Sequence, residues 1–429
     1  MKGNDSTKPS IFKKYPSFRK LGIDWLKAKR IDDNAEGLWR VEDKLYDFIN
    51  FIRRHPGGAD WLELTQGTDI TELFETHHFS GKPELLLHSF YVKDAEKPRN
   101  YKFTFCDDGF YKTLKNKVTD HRHVLKTIPM ETSNKILDGL LGLSILSAIT
   151  SAWFHSIPFA IFTGICLNFL GVASHNYLHR KDNWRMYCLN LTGLNYREWR
   201  LSHAISHHMY PNTLLDLEVF GFEPFLEWIP KLKSDRRKAL SVIMTPIMWM
   251  AIIKQSMFRR FVGYFDNKSS FKLDHLLSFV LPALIYLFAG KDAFTAIKLW
   301  LVAITVCSFL IGFIGTTSGH HHPKVYHEGD ELQPSLDFGI FQLNSVIDRN
   351  DIKKNHFLNL TFFGHHTLHH MFPTIDHGLL PQFNELFLDT CSEFEVQLRE
   401  FPWWPLIVGQ FLQLRRTETI SLKEMRKLN

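Results

Sequence analysis

The sequence predicts a small soluble domain followed by an all-α transmembrane domain of about four spans, and three observations carry that reading. No Asp, Glu, Lys or Arg occurs from Gly139 to His179. Three histidine clusters border such apolar stretches: His175/His179, then His203/His207/His208, then His366/His369/His370. The segment from about Phe18 to Asp94 is instead of mixed charge, with turn signals at Pro56-Gly57-Gly58 and Gly81.

Length and composition agree. At 429 residues the chain exceeds one ordinary domain, and its 45% hydrophobic and 14% aromatic content suits a membrane protein diluted by a soluble part. The net charge of +6 lies in short clusters such as Lys231 to Lys238 and Arg259-Arg260, beside apolar segments. That placement favours anionic lipid headgroups and argues against a nucleic-acid groove. Cys106, Cys166, Cys188, Cys307 and Cys391 include no C-x-x-C pair, so neither a disulfide framework nor a zinc knuckle is expected. The start, MKGNDSTKPS, lacks the apolar core of a cleavable secretory signal, so insertion is expected to rely on internal segments.

Taken in order, residues 18–94 form the soluble domain. Residues 95–135 read as a basic membrane-surface linker carrying Lys97, Arg99, Lys102, Lys112, Lys115, Lys117, Arg122 and Lys126, and residues 136–429 form the membrane domain. A bilayer core needs about 20 apolar residues per helix, so Gly139 to His179 fits two spans turning near His155-Ser156-Ile157-Pro158. A second pair runs from His275 to Gly290 and from Ala293 to Gly315, joined by Lys291-Asp292. Ala239 to Met257 is also apolar but is interrupted by Pro246 and Lys254. Spanning alone, it would put the third cluster across the membrane from the first two, so it reads as interfacial or re-entrant. The far-side turns then carry only Lys291 as a basic residue, and the positive-inside rule makes the side of both termini cytosolic.

A b-type haem needs two axial imidazoles and an apolar slot. His55 and His78 can supply the imidazoles, with His77 the neighbouring alternative. LYDFINFIRRHPGG followed by TELFETHHFS resembles the cytochrome b5 fold, with Pro56 and the two glycines turning to present the first ligand. The spacing in b5 domains fused to lipid desaturases implies His78. Asp60, Glu63, Asp69, Glu72 and Glu75, with no Lys or Arg among them between Ala59 and Gly81, read as an acidic rim that steers a basic redox partner.

Eight imidazoles are more than one zinc needs, and nitrogen-rich sites suit iron and oxygen chemistry. Histidines at i and i+4 share a helix face, which suits His175/His179 and His203/His207 as shared ligands. With the flanks His207-His208-Met209-Tyr210-Pro211-Asn212 and His369-His370-Met371-Phe372-Pro373-Thr374, the region from about Lys135 to Gly378 resembles the membrane fatty-acid desaturases. With the b5-like module the chain is similar to b5-fused desaturases and, most closely, to the insect-type cytochrome b5-related family. The resemblance implies an α+β cytochrome b5-like haem domain followed by an all-α histidine-box domain. It also implies two non-haem irons held by His175, His179, His203, His207, His208, His366, His369 and His370. A ninth ligand is expected from the His320-His321-His322-Pro323 group, with His321 first by the following proline and His320 close behind. His365 and His377 read as neighbours of the site or surface residues. Two positions depart from many relatives: His366 stands where Gln is common and Asn176 where Asp is common.

The function implied is O2-dependent acyl-lipid desaturation in the endoplasmic reticulum membrane. Electrons would come from NADH through a cytochrome b5 reductase to the haem and on to the diiron centre, with an acyl lipid or acyl-CoA as substrate. Hydroxylation, or a membrane-anchored haem electron carrier without catalysis of its own, are the alternatives.

Overall fold

Strands Trp39–Val41, Lys44–Tyr46 and Tyr91–Asp94 pair antiparallel in that spatial order, with Trp39 opposite Tyr46 and Lys44 opposite Asp94. Short helices Ala59–Thr65, Thr71–His77 and Lys82–Leu87 stand against this sheet, giving an α+β domain. In this computed structural model the described residues are 11–14, 22–100, 103–121, 127–265, 271–333 and 336–427. Residues 18–21 of the expected haem domain, and Lys102, Arg122 and Lys126 of the expected linker, lie outside them. Trp39, Val41, Tyr46, Phe48, Leu62, Ile70 and Phe74 form the small domain's own apolar cluster.

The connector packs on the protein itself. Phe103–Thr104 pairs in parallel with Leu336–Asp337, and helix Phe110–His121 buries Phe110, Tyr111, Leu114 and Val118 completely. Its bases face carboxylates of the chain itself: Lys112 and Lys115 bind Glu75 at 2.7 and 2.8 Å, and Lys117 binds Glu393 at 2.6 Å. The pattern of four apolar positions on one helix face, which fixes this packing, is stronger than the basic composition that suggested a lipid contact.

Among the described residues four helices are long and apolar enough to cross a membrane: Ile128–Trp153, Ile157–Leu178, Asp235–Phe265 and Ala293–Thr316. The first begins well before Gly139, so the expected domain boundary at residue 136 falls inside a helix. The expected span from His275 to Gly290 is instead a 3-10 segment, Leu273–Phe279, continued by helix Val280–Phe288. Helix Asp235–Phe265 meets the length and composition of a span, yet both its ends pair with the layer that carries the histidines. Arg260 binds Glu198 at 2.8 Å at one end, and Arg237 binds Glu227 at 2.6 Å at the other. Its middle crosses Ala293–Thr316, where Ser308 Oγ donates to Trp249 O at 2.7 Å and accepts from Ile253 N–H at 3.2 Å.

One core joins the two domains. Trp25, Trp61, Phe103 and Tyr111 from the amino-terminal part share a cluster with Tyr210, Phe338, Met371 and Phe372 of the histidine layer. Trp25 Nε1–H donates to Leu215 O at 2.9 Å, and the Phe79 and Phe372 rings meet at 5.6 Å.

Candidate haem and metal sites

His55 and His78 face each other across the slot of the small domain, with ring centroids 6.3 Å apart and planes at 75°. Two imidazoles on opposite sides of one iron, each bonded at about 2.0 Å, place their centroids about 6.4 Å apart. The remaining ring nitrogens are anchored: His55 Nδ1–H donates to Gly58 O at 2.9 Å and His78 Nδ1–H to Phe74 O at 3.0 Å. Both Nε2 lone pairs are thereby left for a metal. Burial pushes His78 down to about 4 and lowers His55, so both are neutral donors at pH 7. Phe51 and Phe74 rings stand 5.9 and 4.7 Å from the two imidazoles and wall the slot. His77 points the other way, edge-on to Trp61 at 4.9 Å. The geometry therefore fits a bis-imidazole haem on His55 and His78.

The histidine boxes converge on a second, fully buried site. His175 and His179 leave helix Ile157–Leu178, in which no charged side chain interrupts the apolar run. His366, His369 and His370 lie on the short helix His366–Met371. His203, His207 and His208 sit at a π-helical turn, Arg200–His207, where His208 N–H donates to His203 O at 2.9 Å. His203 and His207, with Glu218, offer ligand atoms within 4.8 Å of one another as their spacing suggested, and the turn adds His208 to the side of His203. In an α-helix His208 would lie about 140° round from His203; the wider i→i+5 turn brings it back beside His203.

Two groups result. His175, His179, His203, His208 and His369 offer ligand atoms within 4.8 Å of one another, and so do His207, His320 and His370. His366 joins the second group, its Nε2 3.3 Å from that of His320. Within the first, Nε2 separations are 2.6 Å for His175 and His203, 2.9 Å for His175 and His179, 3.0 Å for His203 and His208, and 3.2 Å for His175 and His369. Two nitrogens bound to one metal at about 2.1 Å and a right angle lie about 3.0 Å apart.

The hydrogen bonds around these rings suit a cation there. His207 Nδ1–H donates to Asp216 at 2.9 Å, His320 Nδ1–H to Ser345 O at 3.1 Å and His366 Nδ1–H to Ser318 O at 2.9 Å. The Nε2 atoms of His207 and His320 then stand 3.1 Å apart, an approach made favourable by a metal ion between them or by a proton on His207, which, against the effect of burial, Asp216 and Glu218 raise to about 9. Glu218 holds His203 Nδ1 at 2.8 Å and Gln342 Oε1 holds His370 Nδ1 at 3.1 Å, leaving the buried His370 Nε2 with no partner. Burial, then the neighbouring imidazoles, pushes His208, His369 and His370 well below the ordinary histidine range, which keeps them neutral donors. The donor set fits two metal ions, with five imidazoles in one group and four in the other.

His321, expected as the ninth member, stands outside both groups, stacked on Trp228 at 3.9 Å and 10°. His320 takes that place. Gly319, at φ +119°, sits where a Cβ would meet Ile347 O, and this tight turn after helix Ala293–Thr316 aims His320 inward. His377 lies against the first group, 4.2 Å from the His369 ring, and is bound through Asn176 Oδ1. Asn176 in turn donates to Asp376 at 2.8 Å. His365 caps helix His366–Met371 in the left-handed region. Sequence reasoning missed Asp216, Glu218 and Gln342; the first two carry a signal, an acidic pair just after the second box.

The acidic rim has a different role from the one expected. Asp60 binds Arg197 and Tyr196, Glu63 binds Arg197, Asp69 and Glu72 bind Arg99, and Glu75 binds Lys112 and Lys115. All five carboxylates are thus paired within the chain, and Arg197 belongs to the membrane domain. Three further contacts join haem-bearing segments to the exits of the histidine boxes. Asp182 N–H donates to Gly57 O at 3.0 Å, Thr76 Oγ lies 3.8 Å from Met209 Sδ, and Tyr111 Oη–H donates to the carbonyls of Glu75 and Met371 at 3.4 and 3.1 Å. Gly58, at φ +113°, admits this approach because a Cβ there would strike the Asp182 carboxylate.

Comparison with known proteins agrees with both sites. The Fatty acid desaturase family profile matches residues 151–402, and the Cytochrome b5-like Heme/Steroid binding domain profile matches residues 24–96. The Cytochrome b5-related protein of Drosophila melanogaster is 40% identical over 419 residues, covering 96% of each chain. The protein of the same name from Drosophila virilis is 46% identical over 132 residues, 30% of this chain and 90% of that one. Delta(5) fatty acid desaturase A of Dictyostelium discoideum is 25% identical over 415 residues, 83% of this chain and 85% of the relative. No solved structure matches. A haem-type domain of b5 character and a histidine-box membrane domain thus occur together in one chain, which belongs to the family of fatty acid desaturases fused to a cytochrome b5 domain.

Proposed function

We propose that the protein is a membrane lipid oxidoreductase that desaturates acyl chains with O2, passing electrons from its own haem to two irons held by nine histidines. The observation that carries this reading is the joining of both donor sets in one core, with haem-bearing segments touching the exits of all three boxes. Irons bound there supply O2 activation and removal of hydrogen from an unactivated C–H bond. The protein's part is positional. Asp216, Glu218, Gln342 and the carbonyls of Ser318 and Ser345 fix ring orientation and present Nε2. Full burial of the imidazoles excludes bulk water, which protects a reactive oxidant from side reactions.

The donor of electrons in this reading is an NADH-cytochrome b5 reductase, and the substrate an acyl lipid or acyl-CoA. The names of distant relatives, Delta(5) fatty acid desaturase A and Acyl-lipid (8-3)-desaturase of Mortierella alpina, support that substrate class. In this reading the protein sits in the endoplasmic reticulum membrane with haem domain and termini cytosolic, an orientation that the positive-inside rule supports. Hydroxylation by the same oxidant is the nearest chemical alternative. A haem carrier without catalysis is favoured by one fact, that the relative at 40% identity is named for its b5 character alone. Lipid profiling of cells expressing wild type against His369→Ala decides: a new unsaturated acyl product lost in the variant supports desaturation, a hydroxylated one the alternative, and no difference the carrier.

A further inference from the structure

His77 has no part in either donor set, yet its position lies between them. It follows Thr76, whose hydroxyl is 2.9 Å from its Nδ1, and precedes the haem-facing His78. Its Nε2 is buried without a hydrogen-bond partner, a costly arrangement for an ordinary packing residue. The ring stands edge-on to Trp61 at 4.9 Å, and Trp61 lies under the Arg200 guanidinium at 4.6 Å. Arg200 is fully buried and its Nε–H donates to Leu178 O at 2.9 Å, one residue before His179. A run of contacts thus leads from His77 through Trp61 and Arg200 to the carbonyl next to His179.

We propose that His77, backed by Trp61, is the electronic bridge between the haem and the histidine-bound irons. The proposal rests on the reading given under Proposed function. In the step, one electron leaves ferrous haem, which becomes ferric, and enters a ferric ion of the histidine cluster, which becomes ferrous; no bond forms or breaks. His77 keeps its protons and lends a π-bearing, closely packed path across the domain boundary. The ion pairs of Asp60, Glu63 and Glu75 hold that path closed by clamping the two domains together.

The test uses the full-length protein with haem and iron loaded, kept anaerobic, with the haem reduced by a flash-excited flavin and its visible band followed in time. Wild type is expected to show a fast loss of the ferrous haem band whose rate is independent of protein concentration, and zinc in place of iron is expected to abolish it. His77→Leu and His77→Gln are expected to slow that phase by about tenfold or more, with haem spectrum, haem potential and iron content unchanged. An unchanged rate in either folded variant overturns the bridge and leaves the reading of the site standing. Loss of the six-coordinate haem spectrum in both variants would make His77 an axial ligand and overturns the bridge as well. Absence of the fast phase in wild type overturns the electron flow itself, and the bridge with it.

Discussion

The direction of a single imidazole decides which metal it serves, and the sequence alone does not fix that direction. His320 and His321 are adjacent and both buried, but the turn at Gly319 sends one to the His207 Nε2 and the other onto Trp228. His320→Ala is therefore expected to lose most of the non-haem metal, since a buried site loses one of four donors, whereas His321→Ala retains it. Metal analysis of both variants, with the haem spectrum as a folding control, checks this; equal metal content in the two would contradict it. The following proline, used to favour His321, reports where the helix ends and says nothing about rotation of the residues before it.

Protonation at the haem slot couples folding to pH. Burial holds His78 at about 4 against an ordinary 6.5. Between those values the unfolded chain binds a proton there and the folded chain does not. The stability this ring contributes is fully present above about 6.5 and is lost as pH falls to about 4. The thermal midpoint of the haem-free protein is expected to drop over that window, with a shallower drop in His78→Gln. An unchanged slope in that variant would assign the pH response to other groups.

Among the elements, the long apolar helices, the HPGG turn and the box histidines at i, i+4 spacing were legible because each depends on residues close in sequence. The π-helical turn at Arg200–His207 was not, because the apolar period there does not distinguish an i→i+4 from an i→i+5 ladder. The partners of the acidic rim were equally hidden: Asp60 meets Arg197, 137 positions away, and charge pairing over such separation leaves no local pattern. Composition alone made the rim look like a docking face for another protein. The partners of the connector helix Phe110–His121 were hidden for the same reason, its lysines answering to Glu75 and Glu393.

Close helix crossing gives another test at this scale. At Gly164 a Cβ would lie 2.5 Å from Ala303 O and 2.7 Å from Val306 Cβ, so helices Ile157–Leu178 and Ala293–Thr316 touch through their backbones. Gly164→Leu is expected to push them apart, costing about 1–3 kcal/mol, and to displace His175 and the His320 turn at their ends. Lower thermal stability together with reduced non-haem metal is the expected result; wild-type values for both would show that the crossing is not tight.

At the scale of the whole molecule, the convergence of all three boxes on one layer constrains the topology. The number of membrane crossings between His208 and His320 must be even. Helix Ala293–Thr316 ends at the cluster, and Val280–Phe288 precedes it as the other arm of a hairpin. Helix Asp235–Phe265, both of whose ends pair with the histidine-bearing layer, meets that parity either by lying along the interface or by crossing together with Ala293–Thr316. A tag at Arg236 and one at the amino terminus are expected to be accessible from the same side in sealed vesicles. Opposite accessibility would break the parity and require a different path.

The central claim is that one chain carries a bis-histidine haem and a separate nine-histidine centre for two irons. Its most direct test is iron counted against haem in the purified full-length protein, compared with His208→Ala and His78→Ala. The claim predicts about two non-haem irons per haem in wild type, loss of non-haem iron with an intact haem spectrum in His208→Ala, and loss of six-coordinate haem with non-haem iron retained in His78→Ala. Haem iron alone in the folded wild type, or loss of both kinds of iron together in either folded variant, would contradict it.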